Sequence, residues 1–284
     1  MHERLRTVKN VRLPCGQQVP ALGLGTWKMG EVPALRVAEL ATLQRGLDLG
    51  LTVVDSAEMY GEGLAESLVG EAIAGRRDEV FLVSKVYPHN ASRKLMRNAC
   101  ENSLRRLRTD HLDLYLLHWA GSVPMEETLE AFNDLQRTGL IREFGVSNLD
   151  LSDMRELRSL PGGDRVQLDQ LLYNLTRRGI EFDLLPWLRQ HGIPLMAYSP
   201  IEQGRLAADK RLVQFAARHG RTPAQVALAW LLSLDDVIAI PKTASRARLE
   251  ENVGALERPL DAAALAELDT LFPPPKGPVP LAML

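Results

Sequence analysis

The sequence predicts a (β/α)8 (TIM) barrel, in which eight parallel strands form a closed ring and helices cover its outside. Two observations lead to this fold class. Eight short apolar segments alternate with helical segments along the chain, which is the order that a parallel sheet requires. The length of 284 residues fits one barrel of this kind. We therefore predict a single domain over residues 1–284, with a β-hairpin before the barrel and a short tail after it.

The rival fold class is a doubly wound open sheet, which normally carries a G-x-G-x-x-G loop after a strand. The segment 23–28 reads GLGTWK, so a lysine stands where the third glycine is needed. The motif is incomplete, and the barrel is favoured.

The elements follow from the spacing of apolar residues. Residues 11–19 form a hairpin with Pro14, Cys15 and Gly16 at its turn. The eight strands are short runs rich in apolar residues, predicted at 21–27, 51–55, 80–85, 112–118, 141–146, 166–170, 194–198 and 237–241. The helices have apolar residues at helical spacing, and they are predicted at 34–49, 63–74, 91–107, 126–138, 151–160, 180–191, 210–219, 223–234, 249–256 and 262–271. The proline-rich segment 272–284 is expected to form a non-helical arm over the barrel surface.

Composition and charge exclude several classes of function. The formal net charge is −2 and no run of five like charges occurs, so nothing favours a nucleic acid or an anionic membrane as a partner. The two cysteines, Cys15 and Cys100, cannot build a disulfide framework or a C-x-x-C metal site, which favours a reducing cytoplasm and no metal. The charged segment 1–10 is no signal peptide, and no apolar stretch is long enough to span a membrane.

Four polar residues stand at or just after three successive strand ends: Asp55, Tyr60, Lys85 and His118. Each has an ordinary explanation alone, since Asp55 could cap a helix, Lys85 could extend to solvent, and His118 could be a hydrogen-bonded core residue. In a barrel, however, the carboxyl ends of neighbouring strands face one mouth, where active sites lie. Four titratable groups at three successive strand ends therefore predict an active site.

The chemistry of these four residues suits a carbonyl that becomes an alkoxide. We expect the Lys85 ammonium to lower the pKa of Tyr60, and Asp55 to hold Lys85 charged. His118 can donate a hydrogen bond to the substrate oxygen. The sequence has no G-x-S-x-G nucleophile motif and no histidine pair at metal-ligand spacing. The reductant must then come from a cofactor.

Five segments in this order resemble the aldo-keto reductases. They are VVDSAEMYG (53–61), FLVSK (81–85), LDLYLLHW (112–119), FGVSNL (144–149) and IPKTASRARLEEN (240–252). The resemblance covers nearly the whole chain and implies Tyr60 as proton donor, Lys85 and Asp55 as the pair that tunes it, and His118 as the group that orients the carbonyl. It also implies NADPH as the cofactor, a short-loop bacterial form of the family, and a monomer.

The resemblance further implies a set of cofactor contacts. Those to the nicotinamide are Ser147, Asn148, Gln170 and Tyr198; those in the cofactor trench are Gly25, Thr26, Trp27, Ser199 and Pro200; those to the adenosine phosphate and the adenine are Lys242, Thr243, Arg248, Glu251 and Asn252. Lys242 and Arg248 follow the last strand, where barrels commonly bind phosphate, although Arg248 could also belong to a solvated helix face. The expected substrate pocket consists of Trp27, Tyr60, Tyr87, His118 and Trp119, with Met59 as a further candidate for its rim.

Two features depart from the family pattern. Glu202 follows the segment Tyr198-Ser199-Pro200 at a point where a negative charge near a pyrophosphate is unfavourable, unless it turns outward or pairs with a base such as Arg205. The loop 120–125 and the tail are short, which implies an open and permissive mouth.

The resulting prediction is NADPH-dependent reduction of aldehydes and ketones, with methylglyoxal-like dicarbonyls or keto-sugars as substrates. Two alternatives remain open at this point: a catalytically idle NADP-binding subunit, and a lyase or isomerase that uses Lys85 as a Schiff-base amine. NADH is the alternative cofactor, and Lys242 and Arg248 disfavour it.

Overall fold

The computed structural model describes residues 9–284. The charged segment 1–10, from which we expect no signal peptide, lies outside the described residues apart from Lys9 and Asn10. Within the described part of the chain, no helix is long and apolar enough to cross a membrane.

Eight parallel strands form the barrel, each hydrogen-bonded to the next in chain order. They follow an antiparallel hairpin of two strands, β1 (Asn10–Arg12) and β2 (Gln18–Pro20). The barrel strands are β3 (Leu24–Gly25), β4 (Val53–Asp55), β5 (Phe81–Val86), β6 (Leu112–Leu117), β7 (Ile141–Ser147), β8 (Asp169–Leu172), β9 (Leu195–Tyr198) and β10 (Val237–Ala239).

Backbone hydrogen bonds between the first and the last barrel strand close the ring. Gly23 N donates to Ala239 O at 2.9 Å, and Ala239 N donates to Ala21 O at 2.8 Å. Gly25 N donates to Pro241 O at 3.1 Å, just beyond the end of β10. The prediction of a (β/α)8 barrel is therefore confirmed.

Over residues 9–284, ten α-helices surround the barrel. They are α1 (Arg36–Asp48), α2 (Leu64–Ala72), α3 (Arg93–Leu107), α4 (Met125–Arg137), α5 (Leu151–Ser159), α6 (Leu184–Gln190), α7 (Lys210–Arg218), α8 (Pro223–Leu232), α9 (Arg246–Val253) and α10 (Ala262–Leu271). Short polar side chains begin several of them. Asp150 and Asp153 form a reciprocal capping box at α5, and Thr222 and Gln225 form another at α8. Such caps satisfy backbone N–H groups that the first helical turn leaves unpaired.

The element boundaries differ from the prediction at several places: β3 is shorter than the predicted 21–27, α6 starts four residues later than predicted, and α9 starts three residues earlier. The sixth strand, expected at 166–170, is β8 (Asp169–Leu172) and starts three residues later. The first helix, expected at 34–49, starts with a 3-10 turn over Pro33–Leu35 before α1. Both segments are apolar beyond their true limits, so periodicity alone could not fix the ends.

The tail after α10 does more than cover the barrel surface. Arg178 Nη1 donates to Phe272 O at 2.6 Å, which holds the start of the tail. Val279 then passes beside Gly179, and Met283 and Leu284 reach the cavity at the mouth of the barrel. The end of the tail therefore contributes to the lining of the cavity, which the sequence did not indicate.

Candidate active site

Three neighbouring strands bring the four predicted catalytic residues together. Asp55 is the last residue of β4, Lys85 is the fifth residue of β5, and His118 follows β6 directly. Tyr60 starts a 3-10 turn in the loop after β4. All four side chains are buried, and the rings of Tyr60 and His118 lie edge to face with centroids 5.9 Å apart.

The Lys85 ammonium is the centre of this group. Its Nζ donates to both oxygens of Asp55 at 2.7 and 2.8 Å and to the backbone oxygen of Ser56 at 2.8 Å. It also contacts the phenol oxygen of Tyr60 at 3.2 Å. Lys85 is completely buried, so this carboxylate supplies the negative charge that a buried ammonium needs.

The pKa of Tyr60 differs in direction from the expectation. Burial, and then the Asp55 carboxylate, raise the pKa of the phenol well above its usual value, whereas the sequence suggested that Lys85 would lower it. The Lys85 ammonium is already neutralised by Asp55, so little positive charge remains to favour a phenolate. Tyr60 is therefore a protonated phenol at neutral pH. Because its oxygen accepts from Lys85, its own proton is free for another acceptor.

His118 is neutral in this structure. Burial, and then the nearby Lys85, lower the pKa of its imidazole to about 3. Its Nδ1 atom is buried and has no hydrogen-bond partner among residues 9–284. A neutral imidazole still has one N–H group to donate to a substrate oxygen.

The residues expected at the nicotinamide form one hydrogen-bonded network. Tyr198 donates its hydroxyl proton to Asn148 Oδ1 at 2.9 Å, and Asn148 Nδ2 donates to Ser147 Oγ at 3.1 Å. Asn148 Nδ2 also donates to the backbone oxygen of His118 at 3.1 Å, and Ser147 Oγ donates to that of Gln170 at 2.8 Å. The network thus spans β7, β8 and β9 at the mouth of the barrel.

One contact in this region was not foreseen from the sequence. Gln170 Nε2 donates to Asp55 Oδ1 at 2.8 Å across the inside of the barrel. The two residues are 115 positions apart, and only closure of the ring makes them neighbours. The contact connects a predicted cofactor residue directly to the Asp55–Lys85 pair.

A cavity of about 1010 Å³ opens over these residues. Its volume is at the upper end of the range for small-molecule and cofactor sites. Every predicted cofactor-contact residue lines it: Gly25, Thr26, Trp27, Ser147, Asn148, Gln170, Tyr198, Ser199, Pro200, Lys242, Thr243, Arg248, Glu251 and Asn252. Of the predicted catalytic residues, Asp55, Tyr60 and His118 also line it, and Lys85 lies behind them.

The rim of the cavity differs from the expected substrate pocket in one residue. Trp27, Met59 and Trp119 line the cavity, but the structure does not bring Tyr87 to it. The ring of Tyr87 stacks on His89 at 4.8 Å and meets Trp119 edge to face at 6.0 Å. Tyr87 therefore supports Trp119 from behind.

Several cavity residues were missed in the sequence. Gln203, Gly204, Ala207, Met283 and Leu284 line the cavity because the loop after β9 and the tail both turn toward it. Lys28 also lines it, and its ammonium lies 4.4 Å from the ring centre of Trp27. The one sequence signal for Lys28 was its position directly after Trp27, a predicted cavity residue. No sequence signal indicated that the tail would reach the cavity.

The loop after β10 and the start of α9 supply positive charge to the other end of the cavity. Lys242 and Arg248 line it, and neither side chain has an ion-pair partner among the described residues. Other arginines nearby are paired, such as Arg246 with Glu250 at 3.1 Å. This end of the cavity is thus lined by two cations and by the hydroxyl groups of Thr243 and Ser245, a set of donors whose chemistry suits an anion such as a phosphate.

Comparison with known proteins agrees with this geometry. The model of the Aldo/keto reductase family matches residues 21–272. The chain belongs to the aldo/keto reductase family. The resemblance inferred from the five motifs is confirmed at this level.

Known proteins that are similar to this aldo-keto reductase match it over nearly its whole length. Methylglyoxal reductase YeaE of Escherichia coli (strain K12) is 53% identical over 271 residues, which are 94% of this chain and 95% of the relative. Two crystal structures of an aldo-keto reductase from Klebsiella pneumoniae, one with NADP and acetate and one with NADPH, have a TM-score of 0.95 and 49% identity. Each match covers 98% of this chain and 100% of the other.

Proposed function

We propose that this protein is an NADPH-dependent reductase of aldehydes and ketones, and that methylglyoxal is among its substrates. The observation that carries the proposal is the buried Lys85 ammonium, which contacts Asp55 and the phenol of Tyr60 at the floor of the cavity. It leaves one phenol proton free at a site large enough for a dinucleotide and a small substrate. The methylglyoxal reductase activity named for the 53% identical relative supports the choice of substrate.

The residues of the cavity fit NADPH. Lys242 and Arg248, which have no ion-pair partner in the described part of the chain, suit the adenosine 2′-phosphate. The amide and hydroxyl groups of Ser147, Asn148 and Gln170 suit the nicotinamide carboxamide. Tyr198 offers a ring for stacking, and Glu251 and Asn252 suit the adenine. When bound, NADPH supplies the hydride that reduces the carbonyl carbon.

The remaining chemistry belongs to the side chains. Tyr60 gives its phenol proton to the carbonyl oxygen, which becomes a hydroxyl group; the hydride and this proton together convert the carbonyl compound into an alcohol. The raised pKa keeps Tyr60 protonated at neutral pH, so the proton is on the phenol when the carbonyl oxygen gains negative charge. Neutral His118 donates a hydrogen bond to the same oxygen, and Asp55 holds Lys85 beside the phenol.

The two alternative functions are less consistent with the site. A Schiff-base mechanism needs an accessible amine, but Lys85 is completely buried, bound to both Asp55 oxygens, and set behind the cavity lining. An idle NADP-binding subunit needs no proton donor, whereas Tyr60 here keeps a buried, positioned phenol. We also propose that the protein is a cytoplasmic monomer; the free cysteines Cys15 and Cys100 suit a reducing compartment.

Replacement of Tyr60 by phenylalanine tests the proposed function. Wild-type protein should oxidise NADPH when methylglyoxal is added, as followed by loss of the absorbance of the reduced cofactor. Tyr60→Phe should lower kcat by about 10²–10⁴-fold because it removes a general acid. NADPH affinity, measured by protein fluorescence, should change by no more than about twofold.

The matched control is Tyr115→Phe, which removes a buried phenol oxygen that has no hydrogen-bond partner among the described residues and does not line the cavity. It should retain wild-type turnover. Normal turnover in Tyr60→Phe, or a wild-type protein that binds NADPH but reduces no carbonyl compound, would contradict the proposed function.

A further inference from the structure

The loop after β9 forms one wall of the proposed cofactor cavity. Ser199, Pro200, Ile201, Gln203 and Gly204 all line the cavity. Glu202, in the middle of this segment, does not; it is only 5% exposed and turns away from the cavity. The loop therefore presents its neighbours to the cavity while it buries its one carboxylate on the opposite side.

Four hydrogen bonds hold the Glu202 carboxylate. Its Oε1 accepts from Arg177 Nε at 3.0 Å and Nη2 at 2.8 Å, and from Arg205 Nη2 at 3.0 Å. Its Oε2 accepts from Asn174 Nδ2 at 2.7 Å. Asn174 Nδ2 also donates to the backbone oxygen of Ser199 at 2.9 Å. The loop after β8 therefore holds the loop after β9 at two points. These points are the backbone oxygen of Ser199 and the side-chain carboxylate of Glu202.

The backbone of the loop is in a conformation that it would not adopt by itself. Ser199, Glu202 and Gln203 all have left-handed φ values, of 48°, 48° and 54°. Such values are unfavourable for residues other than glycine and persist only where surrounding contacts impose them. The contacts that can impose these φ values are the hydrogen bonds that Glu202 and Ser199 accept from Asn174 and Arg177, in the loop after β8.

We propose that Glu202 is a positioning residue that fixes the loop 199–204 in its cofactor-binding conformation before the cofactor arrives. The inference rests on the proposed function in one respect, namely that the cavity takes NADPH. A loop that is already in place costs no ordering free energy on binding, whereas a released loop lowers the apparent affinity by the fraction of time it spends in other conformations. The Glu202 carboxylate, whose charge is unfavourable beside a pyrophosphate, thus lies on the far side of the loop from the cavity, where Arg177 and Arg205 neutralise it.

The test uses Glu202→Gln in the full-length protein. A glutamine amide N–H group would face Asn174 or Arg177, which are both donors, so at least one of the present hydrogen bonds must be lost. The matched control is Asp113→Asn. Asp113 is also 5% exposed, and it accepts from Arg77 at 2.8 Å and from Leu82 N at 2.9 Å, away from the cavity.

Two readouts are expected to separate these variants. Without cofactor, the backbone amides in 201–206 should exchange with deuterium at least about tenfold faster in Glu202→Gln than in wild type. In Asp113→Asn their exchange rates should equal those of the wild type. NADPH should bind about tenfold more weakly to Glu202→Gln, with a slower or two-phase association in stopped-flow fluorescence. Asp113→Asn should keep the wild-type affinity even where it lowers the melting temperature.

Unchanged exchange and unchanged NADPH affinity in a folded Glu202→Gln protein would overturn the proposal. If that variant does not fold, Arg177→Met serves instead, because Arg177 is 41% exposed and its loss breaks two of the four hydrogen bonds from outside. The exchange readout needs no cofactor, so it judges the role of Glu202 separately. Failure of the wild-type protein to bind NADPH would count only against the proposed function.

Discussion

The pKa of Tyr60 depends on its burial and on the combined charge of the neighbouring Lys85–Asp55 pair, not on the lysine alone. A lysine next to a tyrosine suggests a lowered phenol pKa if only the ammonium is considered. In the structure the ammonium is bound to Asp55 and all three groups are buried, so the pKa of Tyr60 rises. The sequence identifies the groups but not the completeness of their pairing, which is why the direction was wrong.

The neutral state of His118 leads to a prediction about pH. An imidazole with its usual pKa near 6.5 would become charged between pH 7 and pH 5 and could then affect catalysis. The pKa of His118 is lowered to about 3, so its neutral form persists across this range. We expect kcat/KM for methylglyoxal, measured with saturating NADPH, to show no acidic limb with a midpoint near 6.5.

The control for this pH profile is His118→Gln, which keeps an N–H donor but cannot titrate. This variant should have a lower kcat/KM than the wild type, but its pH profile should have the same shape below pH 7. A midpoint near 6 in the wild-type protein that is absent from this variant would contradict the neutral assignment. Circular dichroism at each pH would separate acid unfolding from titration.

At the scale of elements, the junction of β10 and α9 carries the proposed choice of cofactor. Arg248 lies in the first turn of α9 and lines the cavity, and its side chain has no ion-pair partner within residues 9–284. Arg248→Ala should weaken NADPH binding by about 1.5–3 kcal/mol, the range of a hydrogen bond to a charged group, and NADH binding much less. The measurement is a pair of fluorescence titrations with the two cofactors.

The same helix supplies the matched control. Arg246 is two residues away, pairs with Glu250 at 3.1 Å and does not line the cavity. Arg246→Ala should leave the preference between NADPH and NADH unchanged. Equal losses of affinity for both cofactors in Arg248→Ala would rule out its role at the 2′-phosphate.

Prediction of elements from the sequence succeeded where apolar runs were short and bounded, and it was less accurate where they were long. β5 and β6 match their predicted segments within one residue. The segment 166–175 has no glycine or proline, and all four of its polar residues, Gln167, Asp169, Gln170 and Asn174, are buried, so none of them marks the end of β8. Polarity indicates a strand end only when a polar side chain reaches water, and in this barrel Gln170 is satisfied by Asp55.

At the scale of the whole molecule, the alternation of strands and helices was sufficient to predict the barrel, because few architectures can bury eight parallel strands. One hydrophobic cluster contains residues from Val11 in the hairpin to Phe272 after α10. This continuity supports our proposal that the chain is a single domain. Contacts such as those of Glu202 with Arg177 and of Met283 with the cavity depend on loop paths, and no local pattern encodes these.

The seam that closes the barrel gives a prediction for the molecule as a whole. Gly25 pairs with Asp55 on one side and donates to Pro241 O on the other, so it lies between the first and the last strand of the ring. A Cβ atom at this position would lie 2.7 Å from the backbone oxygen of Ile240, which is closer than real contacts allow. Gly25→Ala must therefore spread the seam or shift β10.

We expect Gly25→Ala to lose about 1–3 kcal/mol of unfolding free energy, the usual cost of an extra methyl group in a tightly packed site. For a protein of this size that corresponds to a fall in melting temperature of roughly 2–12 °C, measured by calorimetry. Gly277→Ala is the control, since no atom lies within 4 Å of its added Cβ, and it should leave the melting temperature within about 2 °C. Equal melting temperatures for the two variants would contradict this prediction, because the strands at the seam would then separate at little cost in free energy. Because Gly25 also lines the cavity, a lowered melting temperature together with weaker NADPH binding would indicate that closure of the barrel and the shape of the cofactor site depend on the same contact.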